Sequence, residues 1–496
     1  MTRFSAFLIA ALLAVGLAGS AASADAPDPE PGTVDWYARD ADNMVYSTGR
    51  MVDQLANPLW AAQFWTETLG DYPADPYRQH WSGERGIAVP IEYTNRYGAR
   101  VTGHLWAPKP DALDPVTSRP MRPPYPGIVI TNGSVQAYEE LYWWAAQGLA
   151  EAGYLVMTWD PQGQGHSETL PNPLQQFCDP NGDWKKPQED GVSETGPCAG
   201  VPFQQSSNFT FGIYDALKWL LSDANPLRDS LDEARIGLAG HSLGAGAVTL
   251  VGNADPRVKA VVAWDAEASG LGVNLSANVR PRVPTMRQNA DYFVNPTPAI
   301  QQPDPDSKNA TFRRLREAGV PAMQVALRGS THMEWEFLPY LPPASRKGER
   351  IAMYYTLAWF DRWVKGPTDG RQKADAIRRL AASVFDQSSD RSSIGLGSWD
   401  SAKNANVPYL IAGECVKNHL SIYYMSSWAV DGVKMGDMRK ALGCSARSQG
   451  GSAAAPADGT SVQPTRIRTL PATGPALPTL PLVLVGSVLF LRRLRR

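Results

Sequence analysis

Arg235-Ile236-Gly237-Leu238-Ala239-Gly240-His241-Ser242-Leu243-Gly244-Ala245-Gly246-Ala247 decides the reading of this chain. Its first five residues have the composition of a short buried strand. Its last three are small and open a helix. Between them stands Gly240-His241-Ser242-Leu243-Gly244, a G-x-S-x-G pattern. In a chain this rich in glycine the pattern alone arises by chance on the order of a few tenths of a time. The flanks make it specific. A serine held in a tight, strained turn between strand and helix needs small neighbours, because strand and helix must approach without side-chain clashes.

The sequence on both sides supplies the setting. Gly86 to Tyr93 and Ala99 to Trp106 alternate as two strands joined by a turn at Asn95 to Gly98. Short, nearly continuous apolar runs follow at Gly127 to Thr131, Tyr154 to Trp159, Arg235 to Ala239, Val258 to Trp264, Val283 to Gln288 and Ala322 to Leu327. Helical patterns separate them near Tyr138 to Ala152, Phe209 to Leu221, Ala245 to Gly252 and Thr311 to Ala318, and Glu349 to Val364 closes the series. Apolar strands alternating with helices predict an α/β architecture: an eight-stranded, mostly parallel sheet with helices on both faces.

Two more motifs fall at strand ends. Asp160-Pro161-Gln162-Gly163-Gln164-Gly165-His166-Ser167 follows the Tyr154 to Trp159 strand, and Thr131-Asn132-Gly133-Ser134 ends the Gly127 one. With Gly240 to Gly244, these resemble the α/β-hydrolase fold: its nucleophile elbow, its D-x-x-G-x-G-x-S turn and its oxyanion loop. The resemblance covers roughly residues 86–366. Asn132 stands where the family carries a histidine. The resemblance implies a serine hydrolase, esterase- or lipase-like, with Ser242 as nucleophile.

A serine hydroxyl needs a base within hydrogen-bond reach. The family order is serine, acid, histidine. Only His332 and His419 follow Ser242, and His332 lies just past the strand ending at Leu327, so it is the expected base. Asp291, after the Val283 to Gln288 strand, is the expected acid, with Asp265 and Glu267 as rivals. Glu334 is placed at the pocket rim. The backbone N–H groups of Leu243 and Ser134 are the expected oxyanion donors. Trp143, Trp144, Trp264 and Trp335 lie where they could line an apolar pocket, although core packing is the commoner use of such residues.

The termini carry targeting patterns. Arg3, the apolar run Phe4 to Gly19 and Ala22-Ser23-Ala24 form a secretory signal over residues 1–24. Leu470-Pro471-Ala472-Thr473-Gly474, an apolar stretch to Leu491 and four closing arginines resemble a sortase sorting signal of Gram-positive bacteria. That implies sortase as a processing partner and attachment to peptidoglycan, with a plain membrane tail as the alternative. The expected organisation is a helical extension at 25–85, the hydrolase domain at 86–369, an accessory region at 370–445, a flexible stalk at 446–469 and the sorting signal at 470–496. Residues 171–205 form a lid-like insertion in the hydrolase domain. Cys178 with Cys198 and Cys415 with Cys444 are the expected disulfides in an exported chain.

Composition removes other classes. Forty-seven basic residues face 49 acidic ones, which leaves no basic footprint for nucleic acid. There is no Walker loop, H-E-x-x-H or Cys/His cluster. The Asp179 to Asp183 stretch lacks the glutamate that a calcium loop requires. No metal or cofactor is expected. The expectation is a secreted, surface-anchored hydrolase of carboxylic esters. An acyltransferase or serine peptidase on the same residues, or a binding protein on a hydrolase fold, stands as the alternative.

Overall fold

A computed structural model of the chain describes residues 34, 38, 41, 45, 86–114, 116–134, 137–168, 206–265, 280–292, 305–336, 346–385, 397–400, 405–408, 411, 413–426 and 436–437. The signal, most of the helical extension, the 171–205 insertion, the stalk and the sorting signal lie outside them. Of the four cysteines, only Cys415 is among the described residues, so both expected pairings fall outside them as well. Among the described residues no helix is long and apolar enough to cross a membrane.

Strands β1 (Gly86–Thr94) and β2 (Arg100–Pro108) form the expected antiparallel hairpin. Then come β3 (Tyr125–Thr131), β4 (Leu155–Trp159), β5 (Leu231–His241), β6 (Val258–Trp264), β7 (Thr285–Tyr292) and β8 (Ala322–Thr331). The order across the sheet is β1-β2-β4-β3-β5-β6-β7-β8, and β3 to β8 run parallel. The sheet then continues beyond the eight expected strands. Strand β11 (Leu420–Met425) pairs antiparallel with β8, and β12 (Gly436–Asp437) follows it, giving ten strands in all. A separate two-stranded ribbon joins β9 (Gly397–Asp400) to β10 (Ala405–Pro408). This is an α/β-hydrolase fold whose far edge is extended from the C-terminal side.

Period-two alternation builds the two faces. In β3, Ile128 and Ile130 point into one core while Val129 points into the other. In β4, Val156 faces the first core, and Leu155 and Met157 face the second. The first core is closed by α1 (Trp143–Glu151) and α5 (Arg346–Phe360), through Trp144, Leu149, Tyr355 and Trp359. The second is closed by α2 (Ser206–Leu220) and α3 (Leu243–Ala254), through Phe209, Ile213, Val248 and Val251. Helix α4 (Pro305–Glu317) packs Phe312 and Leu315 beside Ala322 of β8. Helix α6 (Gly370–Leu380) and β11 contribute Leu380, Leu420 and Tyr423 to the first core.

The strand order fixes where a site can be. From β3 the chain first turns to one side, to β4, and then crosses to the other, to β5. At such a reversal the connections leave in opposite directions and open a crevice beyond the carboxyl ends of the strands. Asn132 to Ser134 leave β3 there, and Ser242 leaves β5. A cavity of about 240 Å³ lined by Asp114, Arg119, Arg235 and Lys365 also includes Tyr125 and Gly153, at the amino ends of β3 and β4, so it lies at the opposite end of the strands.

Candidate active site

Ser242 occupies the turn between β5 and α3 with φ 54° and ψ −119°. A non-glycine residue with positive φ is strained and persists only where its surroundings hold it. Here the Ser242 N–H donates to the Trp264 carbonyl at 3.0 Å, and its own carbonyl accepts from Gly246 N–H at 3.2 Å. The flanking glycines are needed for close approach. A Cβ at Gly244 would stand 2.2 Å from the Asn132 carbonyl oxygen, and one at Gly240 would stand 2.7 Å from the Gly244 carbonyl oxygen. The serine is half-buried. Leu243 is the first helical residue of α3, so its N–H has no acceptor within the helix and points out of the helix start.

His332 follows β8 at the head of a short 3-10 turn, His332–Trp335. Its Nδ1 lies 2.6 Å from Asp265 Oδ2. Both groups are buried. The expected acid, Asp291, is engaged elsewhere: Oδ2 accepts from Gly329 N–H at 2.8 Å and Oδ1 accepts from Ser421 Oγ at 2.5 Å. The expectation therefore has to be corrected from Asp291 to its rival Asp265. The physical reason is the length of β7. It runs to Tyr292, so Asp291 sits inside the strand rather than beyond it. Asp265 directly follows β6, and its positive φ of 47° turns the chain there. Glu267, the other rival, lies outside the described residues.

Asp265 is held from behind. Its Oδ1 accepts from Ala290 N–H at 2.8 Å, and its own N–H donates to the Gln288 carbonyl at 2.6 Å. Arg287 on β7 is fully desolvated. Burial pulls its guanidinium down to about 10, against the opposing pull of Asp265. The Ser242 turn and His332 meet through the neighbouring histidine. His241 Nε2 lies 2.9 Å from the His332 carbonyl oxygen, and the two imidazole centroids are 4.6 Å apart.

Asn132 locks the loop after β3. Its Nδ2 donates to Asp160 Oδ1 at 2.9 Å and to the Ala137 carbonyl at 3.2 Å. Ser134 follows two residues on and is half-buried. Asp160 also accepts from Glu139 N–H and His166 N–H, and Ser167 Oγ donates to its carbonyl. The D-x-x-G-x-G-x-S turn and the loop after β3 are thus one hydrogen-bonded unit.

Other sequence expectations fall differently. His419 is bonded to Glu414 through Nε2 at 2.7 Å. Glu334 is not at a rim: it is fully buried, packed where a Cβ on Gly348 would collide with it. Trp144, Trp264 and Trp335 are fully buried and belong to the first core, each with its indole N–H donated within the protein. Trp143 is half-buried over Trp106 and His104. No group of three or more His, Cys, Asp or Glu among the described residues is arranged to hold a metal. Sequence reasoning passed over His241, Tyr142 and Glu336. The first is the variable residue of the G-x-S-x-G pattern and the last lies four residues beyond His332, so proximity in sequence was the available signal.

No protein-family model matches the chain. A thiohydrolase, apmlB of Arthrinium phaeospermum, is 31% identical over 178 residues, which is 36% of this chain and 43% of that protein. The chain thus matches less than half of that relative's length. The solved ferulic acid esterase from Streptomyces cinnamoneus is similar with a TM-score of 0.40 and 17% identity, over 56% of this chain and 89% of that one.

Proposed function

We propose that the protein is a serine hydrolase that cleaves acyl esters. Ser242 attacks the acyl carbonyl. His332 takes the serine proton through Nε2 and returns it to the leaving alcohol. Asp265 fixes the imidazole with its Nδ1–H toward the carboxylate, so that Nε2 is the basic nitrogen, and it stabilises the imidazolium that forms. The N–H groups of Leu243 and Ser134 receive the developing oxyanion, each contributing about 3 kcal/mol. Water then releases the acid. The observation that carries this reading is the 2.6 Å pairing of His332 with Asp265 beside the strained Ser242 turn. The thiohydrolase relative adds acyl thioesters to the substrates worth testing. Secretion through residues 1–24 and sortase attachment at Thr473 complete the proposal, and place the enzyme on a cell surface.

The test is covalent. A fluorophosphonate should label the purified protein, and peptide mapping should find the label on Ser242. Hydrolysis of p-nitrophenyl acyl esters of graded chain length, beside the matching thioesters, gives the substrate class. Ser242→Ala should lower turnover by about 10⁶-fold. A folded protein that neither labels nor turns over any of these would overturn the proposal.

A further inference from the structure

Behind the proposed site lies a buried polar group that the reaction described above does not use. His241 is fully buried at the end of β5, Tyr142 is fully buried just before α1, and Glu336 is 6% exposed at the end of the His332 turn. His241 Nε2 faces the His332 carbonyl at 2.9 Å. A carbonyl can only accept, so Nε2 carries a proton. Nδ1 faces Glu336 Oε1 and Tyr142 Oη, each at 3.0 Å. The tyrosine hydroxyl accepts the Gly133 N–H at 2.9 Å and spends its single proton on Glu336 Oε1 at 2.9 Å. With Glu336 ionised, both neighbours of Nδ1 present lone pairs, an arrangement that a proton on Nδ1 completes.

We propose that His241 is a doubly protonated positioning residue, and that its buried ion pair with Glu336 holds the Ser242 turn, the His332 backbone and the Gly133 loop in register. The inference rests on the assignment of Ser242 and His332 given above. Three separate segments meet in this pair. His241 is bonded in the chain to Ser242. Its Nε2–H fixes the His332 carbonyl. Through Tyr142 the pair fixes Gly133, whose neighbour Ser134 is the second oxyanion donor. Packing at Gly133 is tight: a Cβ there would stand 2.9 Å from both Glu336 Oε1 and His241 Nδ1. Glu336 behaves as the anion of the pair. Burial alone would raise its pKa, yet the charge and hydrogen bond of His241, then the charge of His332 and the hydrogen bond of Tyr142, hold it below the ordinary carboxylate value.

The pair also acts on the base electrostatically. The charged groups facing the His332 ring include Asp265 beyond β6, His241 at the end of β5 and Glu336 in its own turn, with Arg287 on β7 behind Asp265. Asp265 favours the protonated imidazole of His332, and the His241 cation at 4.6 Å opposes it. Without that cation Glu336 is left uncompensated, and His332 holds its proton to higher pH.

Two measurements on the full chain test this. With nitrogen-15 at its six histidines, NMR at pH 7 should show both ring nitrogens of His241 protonated, with His241→Gln identifying the signal. A lone-pair nitrogen on that ring would overturn the proposal. This measurement needs no turnover, so it stands or falls apart from the Ser242 assignment, which fluorophosphonate labelling checks. His241→Gln keeps a donor for the His332 carbonyl but removes the charge. The acid limb of kcat/KM should move up by about one pH unit, with kcat falling more than KM changes. His241→Gln combined with Glu336→Gln removes both charges and should bring the limb back toward the parent. An acid limb unmoved in an active, folded His241→Gln protein would overturn the electrostatic part.

Discussion

At the scale of single residues, Asp265 and Asp291 make opposite predictions. Asp265→Asn removes the carboxylate that orients His332, and kcat should fall by about 10⁴-fold. Asp291→Asn disturbs only a backbone contact to Gly329 and a hydroxyl contact to Ser421, and should change kcat by less than about tenfold. Steady-state kinetics on the two variants separates them, and the reverse ranking would return the acid to Asp291. For the proposed serine and histidine, chemistry and chain order leave few options: one G-x-S-x-G serine after a strand, and two histidines beyond it. The acid was not legible, since aspartate is common at strand ends. Choosing among three required knowing which side of a strand terminus each one falls on.

Elements were easier to read than their ends. Strands β3 to β8 and helices α1 to α5 sit where apolar runs and helical spacing put them, because strands buried on both faces must be apolar throughout. Strand β7 shows the limit: Gln288, Asn289 and Asp291 are polar, so the apolar run stops before the strand does. Helix α6 shows another. Its sequence is rich in arginine and lysine. Yet Arg379 is 2% exposed, with Nη2 2.5 Å from Asp361 Oδ2 and Nε 2.8 Å from Asp375 Oδ2. Tyr154 Oη donates to the other oxygen of Asp361 at 2.7 Å. A partner at Asp361 is a tertiary fact that local sequence does not carry. Arg379→Ala strips that carboxylate of its hydrogen-bonded guanidinium and leaves it Lys365 Nζ at 3.5 Å, and should cost up to about 3–5 kcal/mol in urea unfolding. A loss below about 1 kcal/mol would mean that Asp361 finds water instead.

For the whole molecule, pH is the informative variable. His104 on β2 lies 2.5 Å from Glu139 Oε1, and Glu140 lies 3.1 Å from His166. Burial acts to lower the His104 pKa, but the hydrogen bond and charge of Glu139, with the charge of Glu140, raise it above 6.5. Burial first, then Glu139, raises Glu140. Burial first, then Glu139 and Glu140, raises Asp160 well above the ordinary aspartate value. All three shifts are upward. The folded state therefore binds more protons than the unfolded chain, and its stability falls as pH rises. The His104 share is fully present below pH 6.5 and is lost as pH climbs through its raised pKa. The urea midpoint should accordingly decline as pH rises above about 6.5, and His104→Gln should flatten that decline. A midpoint rising over the same interval would contradict the sign.

Strand β11 carries a consequence for the life of a shortened chain. It lies along the outer side of β8, with Leu420 opposite Leu327 and Met425 opposite Met323. A protein ending before residue 420 would keep Ser242, His332 and Asp265, but the Met323 to Leu327 stretch of β8 would show a bare flank of donors and acceptors. Copies would zip together along that flank, and light scattering should record growing particles where the intact chain holds its size. A proteolytic nick between α6 and β11 that released β11 would then drive clumping while Ser242, His332 and Asp265 were still in place.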